Sequence, residues 1–156
     1  MKAINYLSRI KSMDAKINSY IKELEQLEYM ATKTTSVLGD ERVQASGSQQ
    51  KMADCVAKIV DMKNQITDEI DKFIDYKKEA MEILSTCDAE CINLIYKRYF
   101  MFETWEQIAV DMEYTYQWVS GGLHKKALMQ FQRGFEEKES CNGRGNQHEE
   151  SKENKS

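Results

Sequence analysis

Apolar residues recur at three- and four-residue steps along most of this chain, and no proline interrupts them. A 3.6-residue period gathers such residues on one face of a helix. Proline would end or kink that helix. A chain that avoids it throughout is committed to helices whose apolar faces must find one another, so the fold expected is all-α. Glycine is also costly inside a helix, by roughly 1 kcal/mol against alanine. The adjacent Gly121 and Gly122 in "QWVSGGLHKKAL" therefore need a reason. Either the helix breaks there, or something comes close to its backbone.

The first stripe runs through Leu7, Ile10, Ile17, Ile21 and Leu24, widened by Met13, Tyr20 and Leu27, and predicts a helix from about Ala3 to Thr32. Asp14 interrupts it, as a polar seam residue that fixes register would. From Thr34 to Gln50 the period is lost among Ser, Thr and Gly, which reads as a long flexible connector, with Ser48 as an N-cap for the second helix. That helix is expected from about Gln49 to Ser85. Its stripe holds Met52, Val56, Ile59, Ile66, Ile70, Phe73, Ala80, Met81 and Leu84. A helix of this size is on the order of 50 Å long. Two of similar length suit an antiparallel hairpin or coiled-coil stem. A two-helix hairpin buries little surface, so it calls for a partner: a second copy, with a dimer favoured, or the C-terminal domain.

Asp88 is positioned to cap a helix from Ala89 to about Phe102, and short helices follow to Phe135. From Glu136 onward the chain has no apolar residue except Cys141 and reads as a disordered tail. The organisation expected is a helical hairpin over residues 1–85 for oligomerisation or partner binding, a small domain over 86–135, and a tail over 136–156.

Hydrophobic residues make up 41% and charged residues 31% of the 156, with a formal net charge of −4. That balance argues against a generally basic nucleic-acid coat protein. No apolar run approaches the roughly 18 residues of a membrane span. The opening "MKAINYLSRIKSM" lacks the apolar core of a signal peptide, so the chain reads as cytoplasmic. Cys55, Cys87, Cys91 and Cys141 form no disulfide framework, and His124 and His148 are isolated; free thiols and no metal site are expected. With no phosphate loop and no nucleophile–base pair, neither an enzyme nor a cofactor is expected.

The most informative stretch is Ile92 to Phe131. Thr104 is placed to cap a short helix "WEQIAVDM", with Glu106 and Gln107 in its first turn, and Thr115 to cap a second. Two short helices joined by a tight turn are the helix-turn-helix pattern. The pattern needs a small residue at the crossing, met by Ala109 beside Ile108. It needs apolar flanks to the turn, met by Met112 and Tyr114, and a buried residue in the second helix, met by Val119. Its turn residue takes positive φ; here it is Glu113, at about 1 kcal/mol of strain. The last apolar position falls on Gly122, one residue short of Leu123. Across Ile92 to Phe135 the acids Glu103, Glu106, Asp111 and Glu113 all precede the second helix; of the basic residues, Lys97 and Arg98 also precede it, and Lys125, Lys126 and Arg133 lie on or after it. That distribution suits phosphate contacts, although lysines near a helix C-terminus also suit its dipole.

"LIYKRYF…TWEQIAVDMEYTYQWV…LHKKAL" resembles region 4 of bacterial sigma factors. "YTYQWV" and "LHKKAL" are closer to phage and prophage helix-turn-helix proteins of Gram-positive bacteria, including the ArpU- and RinA-like late transcription regulators. Residues Ala31 to Met62 are similar to a stretch of an uncharacterised phage family with that same C-terminal domain. The resemblance covers about Tyr6 to Leu128. It implies a cytoplasmic protein of the bacterial host cell that binds double-stranded DNA and controls late phage genes, with DNA-packaging genes as targets. It places Thr115, Tyr116, Gln117, Ser120, Gly121 and His124 towards DNA. Gln117 would read adenine, Ser120 base or phosphate, and Tyr116 phosphate or a thymine methyl. Thr104 and Trp105 would lie near the DNA backbone, with Lys125, Lys126 and Arg133 supplying general attraction. Trp118 is left open between core and surface.

Two other readings remain: a DNA-packaging component like a small terminase subunit, and a sigma-like adaptor that binds RNA polymerase. For the glycine pair the expectation is a helix that continues, with Gly122 turned inward and Gly121 towards DNA.

Overall fold

The computed structural model describes residues 2–38 and 45–145. Among them all regular structure is helical: α1 (Ala3–Leu38), α2 (Ala45–Leu84), α3 (Ala89–Ile95), α4 (Trp105–Asp111) and α5 (His124–Gly145), with π-helical turns at Tyr96–Phe100 and Trp118–Leu123. No helix among the described residues is long and apolar enough to cross a membrane.

The two long helices take up much of the expected connector. α1 continues to Leu38 rather than ending near Thr32, and α2 starts at Ala45, so Ser48 lies inside it instead of capping it. Two hydroxyls of this stretch bond within the helix. Thr32 Oγ1 donates to the Glu28 carbonyl at 2.9 Å, and Ser36 Oγ to the Thr32 carbonyl at 3.1 Å. Each bond ties a residue with weak helix preference back onto the preceding turn. The remainder of the connector, residues 39–44, lies outside the described residues. Asp14, expected to set register, accepts a hydrogen bond from Asn18 Nδ2 one turn on.

The chain divides into two compact units, but not at residue 85. The described residues of Met1–Lys11 and Tyr76–Ser156 form one, and Ser12–Asp75 the other. The reason is an aromatic cluster that joins the start of α1 to α5 and the end of α2. The Tyr6 ring stacks on Tyr76 at 4.5 Å between centroids and meets Phe135 at 5.3 Å and Phe131 at 5.7 Å. Tyr76 donates its hydroxyl to the Tyr6 carbonyl at 2.9 Å. The Tyr6 hydroxyl is buried and makes no hydrogen bond of good geometry among the described residues; burial, reinforced by the nearby Glu79 carboxylate, pushes its pKa well up.

In this first unit Phe131 is the largest fully buried side chain, and the same core holds Leu7, Ile10, Ile83, Leu84, Leu94, Ile95, Ile108, Val119 and Leu123. Cys87 and Cys91 are buried here too, and burial raises both thiols. α5 approaches the end of α2 closely at Gly134, where a Cβ would stand 2.5 Å from Thr86 Oγ1 and 3.3 Å from the Ile83 carbonyl. α5 runs ten residues into the segment expected to be disordered. It is held by charge rather than apolar burial: Lys138 pairs with Glu82 at 2.8 Å and Glu79 at 3.8 Å. Residues 146–156 lie outside the described residues.

In the second unit α1 and α2 run antiparallel. Lys16 pairs with Glu69 at 2.8 Å and, further along α1, Glu28 pairs with Lys63 at 2.9 Å, further back along α2. The less exposed residues keep steps of three and four: Met13, Ile17, Tyr20, Leu24 and Leu27 on α1, and Met52, Cys55, Ile59, Met62, Ile66, Glu69 and Phe73 on α2. Among the described residues only Ile17 and Ile66 are buried there; every other buried hydrophobic residue belongs to the first unit.

Candidate functional site

The candidate site is built on α4, its turn and the helix that follows. Thr104 caps α4 with a full capping box: its Oγ1 accepts from Gln107 N–H at 3.3 Å, and the Gln107 side chain accepts from Thr104 N–H at 2.8 Å. Asp88, by contrast, makes no side-chain cap to α3. Its carboxylate accepts from Gln130 Nε2 at 2.7 Å, while the Asp88 N–H donates to Gln130 Oε1 at 2.9 Å. That pair of bonds fastens α3 to α5, and it holds the Asp88 carboxyl below its ordinary range, with Lys126 adding to the effect.

α4 stops at a left-handed residue. Glu113 has φ +57°, Tyr114 N–H reaches back to the Ala109 carbonyl at 3.0 Å, and Glu113 N–H to the Val110 carbonyl at 3.2 Å. This double bond pattern is a Schellman terminator, with glutamate in the place that usually holds glycine. Tyr114 donates its hydroxyl to Glu90, which anchors the turn to α3. Thr115 Oγ1 then accepts from Trp118 N–H at 3.3 Å and starts the next helix. Ile108, Ala109, Val119 and Leu123 are buried between these elements.

The helix does not break at the glycine pair. It passes through the π turn Trp118–Leu123 directly into α5. A π turn accommodates one extra residue within a continuous helix. That is how Val119 and Leu123 are both fully buried despite the added residue. Gly121 is exposed, with open space where a Cβ would be. Gly122 is not turned into the core, as expected from the sequence; it is exposed on the helix surface and lies against the Trp118 indole, itself 46% exposed. Trp118 is therefore a surface residue.

The remaining residues singled out from the sequence separate into three groups. Thr115, Tyr116, Gln117, Gly121 and Lys125 are exposed, and Gln117 and Lys125 have no polar partner among the described residues. Trp105 and His124 come together at 4.8 Å between ring centroids, edge to face. They form an aromatic–cationic cluster with two residues that sequence reasoning did not select. Arg98 sits 4.5 Å over the Trp105 ring, and Tyr99 shares a 2.8 Å hydrogen bond between its hydroxyl and His124 Nε2. Burial, with Arg98 nearby, lowers the His124 pKa, so the ring is neutral near pH 7. Lys11 and Ser8 join these residues around a cleft of about 270 Å³. The sequence signal was the "KRYF" run beside the motif, whose arginine and tyrosine repeat the helical period of the core.

The third group is already engaged. Ser120 Oγ donates to the Tyr116 carbonyl at 2.8 Å. Thr104 is occupied by its cap. Lys126 pairs with Asp88 at 3.1 Å and Glu90 at 3.8 Å, which raises its pKa and neutralises the charge assigned to general attraction. Lys125 pairs with no carboxylate among the described residues. It lines a groove of about 590 Å³ with Gly121, His124, Met129 and Arg133 on one side and, on the other, Ile4 of α1 and Lys2 just ahead of that helix. No family model matches the chain, and neither a curated protein nor a solved structure matches it.

Proposed function

We propose that residues 104–128 form a helix-turn-helix, carried on a coiled-coil stem made by α1 and α2, and that the protein is a sequence-specific regulator of transcription that binds double-stranded DNA. The observation that carries this reading is the joint at Glu113. A capped short helix ends at a left-handed residue, and a second helix begins two residues later with Tyr116, Gln117, Gly121 and Lys125 facing solvent. A helix held in this way and left unengaged on its outer face suits the width of the DNA major groove. Gln117 is the residue for direct base reading. Lys125 and Arg133 supply phosphate attraction, and Lys126 is withdrawn from that role by its carboxylate partners. His124 acts as a neutral aromatic prop behind the reading face. The resemblance to phage late regulators extends the proposal to control of late genes in a bacterial host.

Footprinting of the protein on DNA of the genome that encodes it tests this directly. A discrete protected site that survives competitor DNA at moderate salt is the expected result. Binding that never exceeds the non-specific level would reject the proposal.

A further inference from the structure

α2 carries more apolar surface than its pairing with α1 uses. Within the second unit, the less exposed side of α2 is formed by Met52, Cys55, Ile59, Met62, Ile66, Glu69 and Phe73, and Glu69 pairs with Lys16 of α1. A different line of residues runs along the same helix at 56, 60, 63, 67, 70 and 74, with steps of four, three, four, three and four. Its apolar members are largely open: Val56 is 52% exposed, Val60 49%, Ile70 36% and Ile74 56%. A row of exposed β-branched aliphatic residues at coiled-coil spacing marks an interaction surface.

The order of this line is the informative part. Read from either end it runs apolar, apolar, polar, polar, apolar, apolar, with its centre at residue 65. A two-fold interface requires that residue i meets residue j while j meets i. An antiparallel pairing centred on residue 65 satisfies that at every step. Val56 meets the partner's Ile74, Val60 meets the partner's Ile70, and Lys63 meets the partner's Thr67. A parallel pairing would set Lys63 against Lys63, which like charge opposes. In the antiparallel arrangement Lys63 keeps its intrachain Glu28 carboxylate at 2.9 Å and faces a neutral hydroxyl. An unrelated partner would place no palindromic demand on the line; a second copy of this chain does.

We propose that Val56, Val60, Ile70 and Ile74 form a self-association seam through which two copies pair their α2 helices antiparallel. The test uses the full chain in solution without DNA, so its outcome is separate from that of the DNA-binding proposal. Light scattering across micromolar concentrations should give twice the chain mass. Val60→Lys and Ile70→Glu each weaken association at least tenfold, while circular dichroism shows helicity retained, since both positions are exposed. The double variant Val60→Lys/Ile70→Glu regains dimer, because residue 60 meets residue 70 across the axis. A monomeric or ring-forming wild type overturns the proposal, as does a Val60→Lys protein that still dimerises like wild type. A double variant no better associated than the single ones overturns the antiparallel arrangement.

Discussion

The indole of Trp118 lies against Gly122 one turn further along the helix, so closely that a Cβ at position 122 would overlap the ring atoms Cζ3 and Cε3. Replacing a helical glycine with alanine ordinarily gains up to about 1 kcal/mol. Here the gain is opposed, because the ring must swing away and give up its contact. Gly122→Ala should therefore leave stability unchanged or lower in the wild-type background. It should stabilise by up to about 1 kcal/mol once Trp118→Ala has removed the ring. Chemical unfolding of the four proteins measures the coupling, which should exceed about 0.5 kcal/mol. Additive effects would mean that the indole is not what excludes a side chain.

Gly121 behaves differently although it is the next residue. Nothing stands within 4 Å of a Cβ there. Gly121→Ala is expected to raise stability by up to about 1 kcal/mol, seen as a higher thermal midpoint. If the backbone at this point approaches DNA, the same substitution weakens binding in a gel shift. A more stable protein with unaltered or tighter binding would show that no close approach occurs at residue 121.

The adjacent lysines should also separate. Among the described residues Lys125 has no ion pair, whereas Lys126 is held by Asp88 and Glu90. Lys125→Ala should weaken DNA binding across all sequences and reduce the salt slope by about one. Lys126→Ala should leave that slope nearly unchanged and instead loosen the Asp88–α5 junction, detected as faster amide exchange in α3. Equal loss of DNA affinity from both would contradict this division.

His124 gives the fold a defined response to acid. Burial first, and Arg98 second, lower its pKa in the folded state below the ordinary 6.5. As pH falls below about 6.5 the unfolded chain takes up a proton that the folded chain resists, so stability declines. The contribution is complete above pH 6.5, is lost as pH falls towards the lowered folded value, and is constant below it. The difference in unfolding free energy between wild type and His124→Phe, followed from pH 8 to pH 5, should narrow across that window. A constant difference would mean that the ring titrates alike in both states.

Much of the helical scaffold could be read from spacing and caps, because both are local. The three–four steps locate α1 and α2, Thr104 and Thr115 start their helices, and Glu113 takes positive φ. The π turn was not legible. A four-residue step from Val119 to Leu123 looks the same in sequence whether the helix is regular or carries an inserted residue. Contacts between distant residues were also out of reach. Lys126 resembles any other solvated lysine until Asp88 and Glu90 are brought to it, and Tyr6 resembles a stripe residue until Phe131 and Phe135 arrive. The helical reach of α5 beyond Glu136 was missed because it depends on ion pairs such as Lys138–Glu82 rather than on apolar period.

The start of α1 has a practical bearing on how this protein is handled. Ala3 N–H donates to Gln132 Oε1 at 2.7 Å, and Lys2, Ala3 and Ile4 form a wall of the groove that also contains Gly121 and Lys125. An affinity tag or fusion partner joined immediately ahead of Lys2 would emerge at that wall and crowd the surface whose binding is to be measured. Preparations tagged at the other end, or with the N-terminal tag removed, are the appropriate material for affinity measurements and for screening ligands of this face.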